Sequence, residues 1–288
     1  MKIRIAKDAG YCFGVRDAVN LAYDTANEYG EVYMLGDIVH NENVINDLDK
    51  AGAKVVQSIE DVPIDKPLLL RAHGSKRDVW KSAVEKNMKL VDATCPLVHE
   101  IHREVKKLSE EGRQIFVIGD HGHDEVVAIA DQVPGSIVLA SLKEAKALKK
   151  IKRAGVVSQS TQTIENVQGI INILMEKVFD LHFVNTICYP TKRNQEQIKD
   201  LAQESDVMII IGSFTSANSK RLTELSLERN KNTYQVTNPA EIDSSWFKSN
   251  INSVGISAGA STPDWIISAV IKKVKELTNT TEREIIHE

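Results

Sequence analysis

The sequence of 288 residues is short of cysteines and aromatic residues, and both shortages restrict its class. Its three cysteines, Cys12, Cys95 and Cys188, form no C-x-x-C pair and are odd in number, which excludes the disulfide framework of a small secreted domain. Aromatic residues make up 5% of the chain and hydrophobic residues 42%. We therefore expect a soluble globular protein with a mainly aliphatic core.

Long apolar segments and blocks of one charge are also missing. The run from Val207 to Ile211 is among the longest apolar runs, and it is far shorter than the roughly 20 residues that span a bilayer. The N-terminus, Met1-Lys2-Ile3-Arg4-Ile5, alternates like a strand and leads into no apolar signal segment. Lys plus Arg number 36 and Asp plus Glu 40, for a net charge of −4 spread along the chain. We expect a cytoplasmic protein that binds neither membranes nor nucleic acid.

The cysteines mark a unit that occurs three times. A glycine follows each cysteine at a spacing of 24 residues, and an aliphatic run that predicts a buried strand precedes each glycine. Helical periodicity fills the segment between cysteine and strand, as in Val98, Ile101, Val105 and Leu108. The glycines are Gly36, Gly119 and Gly212. Such a repeat predicts three similar α/β units.

The second half of the unit repeats as well. A strand leads to a helix-capping pattern, and the next strand runs into a polar loop. The capping patterns are Ser58-x-x-Asp61, Ser141-x-x-Glu144 and Asn238-x-x-Glu241. The first two units close with a strand that delivers Cys95 or Cys188, and the third lacks one, so we expect Ile3-Arg4-Ile5 to complete it.

The predicted fold class is α/β, with three pseudo-threefold-related units around a central cavity. Each unit is expected to be a four-stranded, mainly parallel sheet flanked by helices. We place the units at residues 1–95, 96–188 and 189–288, with the strand at residues 2–6 completing the third. Ligands of such sheets bind beyond the carboxyl ends of the strands, where each unit carries a cysteine and two polar loops.

Three cysteines at matched positions favour a shared metal site over three inert core thiols. Zinc bound by three cysteines and one histidine would be structural. A 4Fe-4S cluster with three protein thiolates leaves one iron open to substrate, which suits catalysis. Spacing alone leaves these possibilities open.

The polar loops indicate an anionic ligand, because each precedes a predicted helix whose first amides attract phosphate. Walker and Gly-x-Gly-x-x-Gly patterns are missing, which disfavours a nucleotide. We expect some of the histidines to bind as imidazolium, although each could instead cap its loop. Glu125 could cap a helix or act as an acid beside the ligand. His99 and His102 are expected at the surface or behind the residues that contact the ligand. The candidate ligand residues are His40, His73, His123, Ser160, Thr161, Ser216, Asn218 and Ser261.

Seven segments together closely resemble the 4-hydroxy-3-methylbut-2-enyl diphosphate reductase family, along essentially the whole chain. They are Tyr11-Cys12-Phe13-Gly14-Val15, His40-Asn41, Arg71-Ala72-His73-Gly74, Asp92-Ala93-Thr94-Cys95-Pro96, Gly122-His123-Asp124-Glu125, Ser216-x-Asn218-Ser219 and Ala258-Gly259-Ala260-Ser261.

The resemblance implies a reductase of the methylerythritol phosphate route to isoprenoids. It implies that Cys12, Cys95 and Cys188 hold a 4Fe-4S cluster and that Glu125 donates a proton with help from Ser160 or Thr161. The implied reaction removes the hydroxyl of the allylic diphosphate to give isopentenyl and dimethylallyl diphosphates, with electrons from a ferredoxin or flavodoxin. The residues implied in substrate binding are His40, His73, His123, Thr161, Ser216, Asn218 and Ser261.

Two departures from the family pattern are visible, since Ser160 replaces a threonine and Ala217 replaces a common serine. Two alternatives also remain at this stage. One is a lyase similar to quinolinate synthase, which also uses three cysteines and one open iron. The other is a non-catalytic zinc or iron-sulfur protein.

Overall fold

The computed structural model describes residues 1–248, 251–280 and 285–287, the last three by their backbone only. Strands and helices alternate along the chain. The strands are β1 (Lys2–Ile5), β2 (Val32–Leu35), β3 (Ala53–Val56), β4 (Leu68–Leu70), β5 (Leu90–Asp92), β6 (Gln114–Ile118), β7 (Ile137–Leu139), β8 (Ile151–Ser158), β9 (Val178–Phe183), β10 (Val207–Ile211), β11 (Thr233–Val236), β12 (Ser253–Ala258) and β13 (Ile285–His287). The helices are α1 (Phe13–Tyr29), α2 (Glu42–Lys50), α3 (Arg77–Glu85), α4 (Pro96–Glu110), α5 (Asp124–Asp131), α6 (Leu142–Ala147), α7 (Ile164–Lys177), α8 (Tyr189–Glu204), α9 (Ala217–Leu227) and α10 (Asp264–Thr278).

The strands form three parallel sheets with one shared order, which confirms the predicted fold class. Two sheets have four strands, in the orders β3-β2-β4-β5 and β7-β6-β8-β9. The third has the order β11-β10-β12-β1-β13, so β1 takes the place that β5 and β9 take in the other sheets. The fifth strand, β13, was not predicted. It pairs with β1 through Ile3 and Ile285.

The residues group into two compact units. One contains Met1–Phe13, His40–Val44 and Tyr189–Glu288, and it holds the five-stranded sheet. The other contains Gly14–Val39 and Ile45–Cys188, and it holds both four-stranded sheets. The boundaries at 95 and 188 that the repeat suggests stay a prediction. None of the helices in the described residues is long and apolar enough to cross a membrane.

Aliphatic side chains supply the cores. The predicted stripe of Val98, Ile101, Val105 and Leu108 is buried on α4, and the last three of these residues pack with β6 and β8. Each such buried side chain contributes roughly 1.5–3 kcal/mol relative to exposure. The stripe therefore fixes α4 on its sheet and sets the position of Cys95, the residue before the helix.

The capping patterns are used, but two of them start only a 3-10 turn. Ser141 caps α6 through the Glu144 amide. Ser58 caps Ile59–Asp61, where Pro63 follows closely and disfavours a longer helix. Asn238 caps Pro239–Glu241, after which Asp243 accepts the Ser245 amide and starts a separate turn.

The three repeated glycines lie where neighbouring side chains approach the backbone closely. A Cβ at each position would come 2.7 Å or less from a side-chain atom: Arg71 at Gly36, Val126 at Gly119 and Ser219 at Gly212. Gly36 also has a positive φ of 74°, which a side chain would strain. The repeat thus keeps space for the loops beyond the strands.

Candidate active site

Each cysteine binds the neighbouring loop of its own sheet through its backbone amide. Cys95 donates to the Ala72 carbonyl at 3.0 Å, Cys188 to Ser160 at 2.9 Å and Cys12 to Ala260 at 3.3 Å. In every case the next residue is one of the predicted ligand residues, namely His73, Thr161 or Ser261. The sheets therefore present one arrangement three times, with a cysteine beside a polar loop.

The cysteines also share a place at the start of a helix. Cys95 is the N-cap of α4, while Cys12 and Cys188 directly precede α1 and α8. All three are half-buried. A Cβ added to Gly14 would lie 2.4 Å from the Cys95 Sγ, so only glycine leaves room for this thiol. Helix N-termini favour negative charge, and the thiolate is the form of cysteine that binds metals.

Glu125 is a buried carboxylate whose two oxygens both bind Ser160. The side chain is 2% exposed, in the first turn of α5. Its Oε1 accepts the Ser160 amide at 2.6 Å, and its Oε2 accepts the Ser160 hydroxyl at 2.8 Å. Because the Ser160 carbonyl accepts the Cys188 amide, one residue joins the acid to a cysteine.

The adjoining Thr161 makes a different contact. Its Oγ1 accepts a hydrogen bond from Gln159 Nε2 at 3.1 Å. Glu125 therefore contacts Ser160, while the contact shown for Thr161 is with Gln159.

His73 and His123 lie together in the unit that carries Glu125. Their ring centroids are 5.7 Å apart in an edge-to-face arrangement. His123 caps α5, because its Nδ1 accepts the Glu125 amide at 3.2 Å. With Nδ1 accepting this amide, Nε2 is the ring nitrogen left to donate to a ligand. The expectation that some histidines bind the ligand as imidazolium stays a prediction.

An ion pair beside these histidines was missed by the sequence analysis. Arg71 Nη1 donates to Asp124 Oδ2 at 2.6 Å, with the side chains 23% and 31% exposed. Both residues lie in segments that carry the family resemblance, but neither segment indicates its partner 53 residues away. The pair joins the loop of His73 to the helix of Glu125.

Ser216 and Asn218 begin α9 in the other unit. Ser216 is the N-cap, and its Oγ accepts the Ser219 amide at 3.3 Å. That hydroxyl can still donate, since a serine oxygen accepts and donates at once. Asn218 is 5% exposed, and its buried Nδ2 has no hydrogen-bond partner among the described residues. A buried donor without an acceptor is costly in a folded protein, which favours a ligand oxygen there.

His40 and Ser261 meet in the same unit as Ser216. The Ser261 hydroxyl donates to the His40 carbonyl at 3.1 Å. The following residue, Asn41, starts α2 by accepting the amides of Asn43 at 3.1 Å and Val44 at 3.3 Å. Side chains thus cap the helices that follow three of the loops, through Asn41, His123 and Ser216. The loops of His73 and Ser261 lead into α3 and α10 without a side-chain cap from the described residues.

Of the two places expected for His102, the structure shows the buried one, in α4 behind the loop of His73, and not the surface. Its side chain is 9% exposed, and its Nε2 has no partner in the part of the chain that the structure describes. A Cβ on Gly74 would lie 2.9 Å from the ring, so His102 packs behind the loop of His73. Burial, with smaller effects from His99 and Lys106, lowers the pKa of His102 to about 4.

We expect this histidine to make the fold less stable in acid. An unfolded histidine titrates near pH 6.5. Between about pH 6.5 and 4, His102 is therefore protonated in the unfolded chain and neutral in the native chain. The free energy of unfolding should fall as pH drops through this window, by up to about 3 kcal/mol. Urea unfolding of the wild type and of His102→Gln at several pH values measures the effect, and equal pH dependence in both would contradict it.

Comparisons with known proteins agree along the chain. The family described as LytB protein matches residues 3–275. The 4-hydroxy-3-methylbut-2-enyl diphosphate reductase of Geobacter sulfurreducens is 39% identical over 280 residues, covering 97% of this chain and 99% of the relative.

Two solved structures are similar as well. The E-1-hydroxy-2-methyl-but-2-enyl-4-diphosphate reductase from Plasmodium falciparum aligns with a TM-score of 0.90 at 27% identity, covering 99% of this chain and 91% of that one. A structure of (E)-4-hydroxy-3-methyl-but-2-enyl diphosphate reductase, described as the terminal enzyme of the non-mevalonate pathway, aligns at 0.70 with 36% identity. It covers 96% of this chain and 100% of that one.

Proposed function

Because the chain belongs to the LytB protein family, we propose that it reduces 4-hydroxy-3-methylbut-2-enyl diphosphate, the substrate in its relatives' names. The observation that carries the proposal is the link from buried Glu125 through Ser160 to Cys188. This link supports the proposal, because a reaction that consumes protons and electrons would need a proton donor close to the metal ligands.

The cysteines suit a 4Fe-4S cluster as its three protein ligands. They occupy matched positions before helices, and Gly14 leaves space at the thiol of Cys95. Among the described residues no group of three or more His, Cys, Asp or Glu side chains is placed to bind a metal ion. The ligands of a 4Fe-4S cluster lie farther apart than the ligands of a single ion, because each thiolate binds a different iron. Cys12, Cys95 and Cys188 would hold it.

The proposed reaction breaks the allylic carbon–oxygen bond and adds hydrogen to carbon. Two electrons and two protons enter, the hydroxyl leaves as water, and isopentenyl and dimethylallyl diphosphates form. When bound, the cluster supplies the electrons and one iron that is open to substrate.

Glu125 and Ser160 would move the proton that accompanies loss of the hydroxyl. The Ser160 hydroxyl can accept from a protonated Glu125 while donating onward, so it can pass a proton without moving far. Burial of Glu125 keeps bulk water away from the transfer. Ser160 keeps the hydroxyl of the family's usual threonine, so we expect this departure to preserve the relay.

The diphosphate would be bound by the polar loops. We assign this role to His40, His73, His123, Thr161, Ser216, Asn218 and Ser261. Because Nδ1 of His123 accepts the Glu125 amide, its contact to the diphosphate would come from Nε2, and helix N-termini would add amide dipoles. Ala217 has no hydroxyl for this task.

We expect Asn218→Leu to weaken substrate binding without harming the fold. The substitution removes a buried donor that has no hydrogen-bond partner within the described part of the chain, so the thermal midpoint of the free protein should stay the same or rise. Loss of a hydrogen bond to a charged ligand should raise KM by about tenfold or more. Glu224→Gln, an exposed change on the same helix, is the matched control. An unchanged KM in Asn218→Leu would remove the residue from the site.

Electrons must come from another protein, because the sequence has no flavin or nicotinamide motif. A small one-electron carrier such as a ferredoxin or flavodoxin fits this requirement, since the cluster transfers electrons singly.

Metal content tests the cofactor and the two alternative functions. Protein purified without oxygen should be brown, with visible absorption and about four irons per chain. A colourless sample with one zinc would contradict the reductase proposal and would also exclude an iron-sulfur lyase.

A further inference from the structure

The helix that carries Glu125 is fastened at both ends to the segment that carries His73. At its first residue, Asp124 binds Arg71 at 2.6 Å. At its last residue, Asp131 accepts the Arg77 amide at 2.7 Å and pairs with the Arg77 side chain at 3.5 Å. One short segment, residues 71–77, thus contacts both ends of α5.

Neighbouring residues hold Arg71 in place for its contact with Asp124. Gly36 leaves room for the guanidinium, since a Cβ there would lie 2.7 Å from Nη1. The Arg71 carbonyl accepts the Gly74 amide at 3.1 Å, which closes the tight turn around His73. The backbone of Arg71 is therefore fixed by the turn, and Gly36 leaves space for its side chain to reach α5.

A movement of Asp124 would also move the residues on either side of it. It stands between His123, which caps α5, and Glu125, which binds Ser160. The edge-to-face contact of His73 and His123 lies beside the pair. A shift of Asp124 relative to Arg71 would move a ligand residue and the acid together.

We propose that the Arg71–Asp124 ion pair positions His73 against His123 and Glu125 for binding and proton transfer. Arg71 and Asp124 are positioning residues, which act through their neighbours. The inference rests on the proposed function for its kinetic consequence, and it has a separate consequence for the binding of a simple anion.

The test is a double-mutant cycle on the cluster-loaded enzyme, with Arg71→Gln, Asp124→Asn and the double variant. Each single change should lower kcat/KM by about ten- to a hundredfold. The double variant should lose no more than the worse single, because both remove one contact. Asp131→Asn, which weakens the pair at the other end of α5, is the matched control, and we expect at most a small loss.

Two further measurements separate positioning from general damage. Iron content and thermal midpoint of Asp124→Asn should match those of Asp131→Asn, because both lose one partly exposed ion pair. Inorganic pyrophosphate, titrated calorimetrically, should bind more weakly to Asp124→Asn than to the wild type or Asp131→Asn.

The outcomes distinguish this proposal from the proposed function. If wild-type enzyme fails to reduce the substrate but Asp124→Asn still loses pyrophosphate affinity, the positioning role stands and the function fails. If wild type is active and Asp124→Asn equals Asp131→Asn in both turnover and pyrophosphate binding, the positioning role is refuted. Multiplying losses in the double variant would also refute it.

Discussion

Glu125→Gln should keep the cluster and bind substrate while losing about 10² to 10⁴-fold in turnover, the usual contribution of a general acid. Glutamine retains the geometry of the site. Its Oε1 can accept the Ser160 amide and its Nε2 can donate to the Ser160 hydroxyl, so both contacts of Glu125 have a replacement. Only the transferable proton is lost. The measurements are kcat under anaerobic conditions and iron content.

Ser160→Ala is the companion to this variant. It removes the hydroxyl but leaves the amide bound to Glu125, so we expect a smaller loss of turnover with the cluster intact. If Glu125 acted only by holding Ser160, Ser160→Ala would loosen that contact, disturb Cys188 through the Ser160 carbonyl and lower the iron content. Near-normal turnover of Glu125→Gln would leave the residue only the structural role of holding Ser160.

Cys12→Ser, Cys95→Ser and Cys188→Ser should each lose the cluster and essentially all activity. The chain has three cysteines, so no spare thiolate can replace the missing ligand. Serine keeps the backbone bonds to Ala260, Ala72 and Ser160, and the apoprotein should retain its helices and sheets. Iron analysis, visible absorption and circular dichroism measure these effects.

Loss of the metal should also lower stability, since cluster binding is linked to folding. Each variant should therefore resemble wild-type apoprotein in its thermal midpoint. Full iron content and activity in any one variant would remove that cysteine from the site.

Much of the fold could be predicted because it is repeated. The strand, glycine and cysteine pattern around Gly36, Gly119 and Gly212 gave three chances to recognise each element. The sheets have the same strand order for the same reason. The strand Ile285–His287 has no counterpart in the first two units, and the repeat could not indicate it. The length of the helix after Ser58 was not predicted either, because the nearby Pro63 limits it to one turn.

The sequence indicated which residues belong to the candidate site, but not which of them contact one another. Strand ends and helix starts identify Glu125 and Ser160 as neighbours, because both follow adjacent strands of one sheet. Burial of His102 depends on the shape of the loop at Gly74. The Arg71–Asp124 pair depends on how two sheets pack within one unit. Contacts between sheets leave no periodic signal in the sequence.

Anaerobic turnover tests the central claim most directly. The cluster-loaded wild-type protein is incubated with (E)-4-hydroxy-3-methylbut-2-enyl diphosphate and a chemical one-electron reductant, and the products are separated and identified. We predict isopentenyl and dimethylallyl diphosphates, with two electrons consumed per molecule formed and the diphosphate intact. Unchanged substrate in the presence of protein with full iron content would contradict the account.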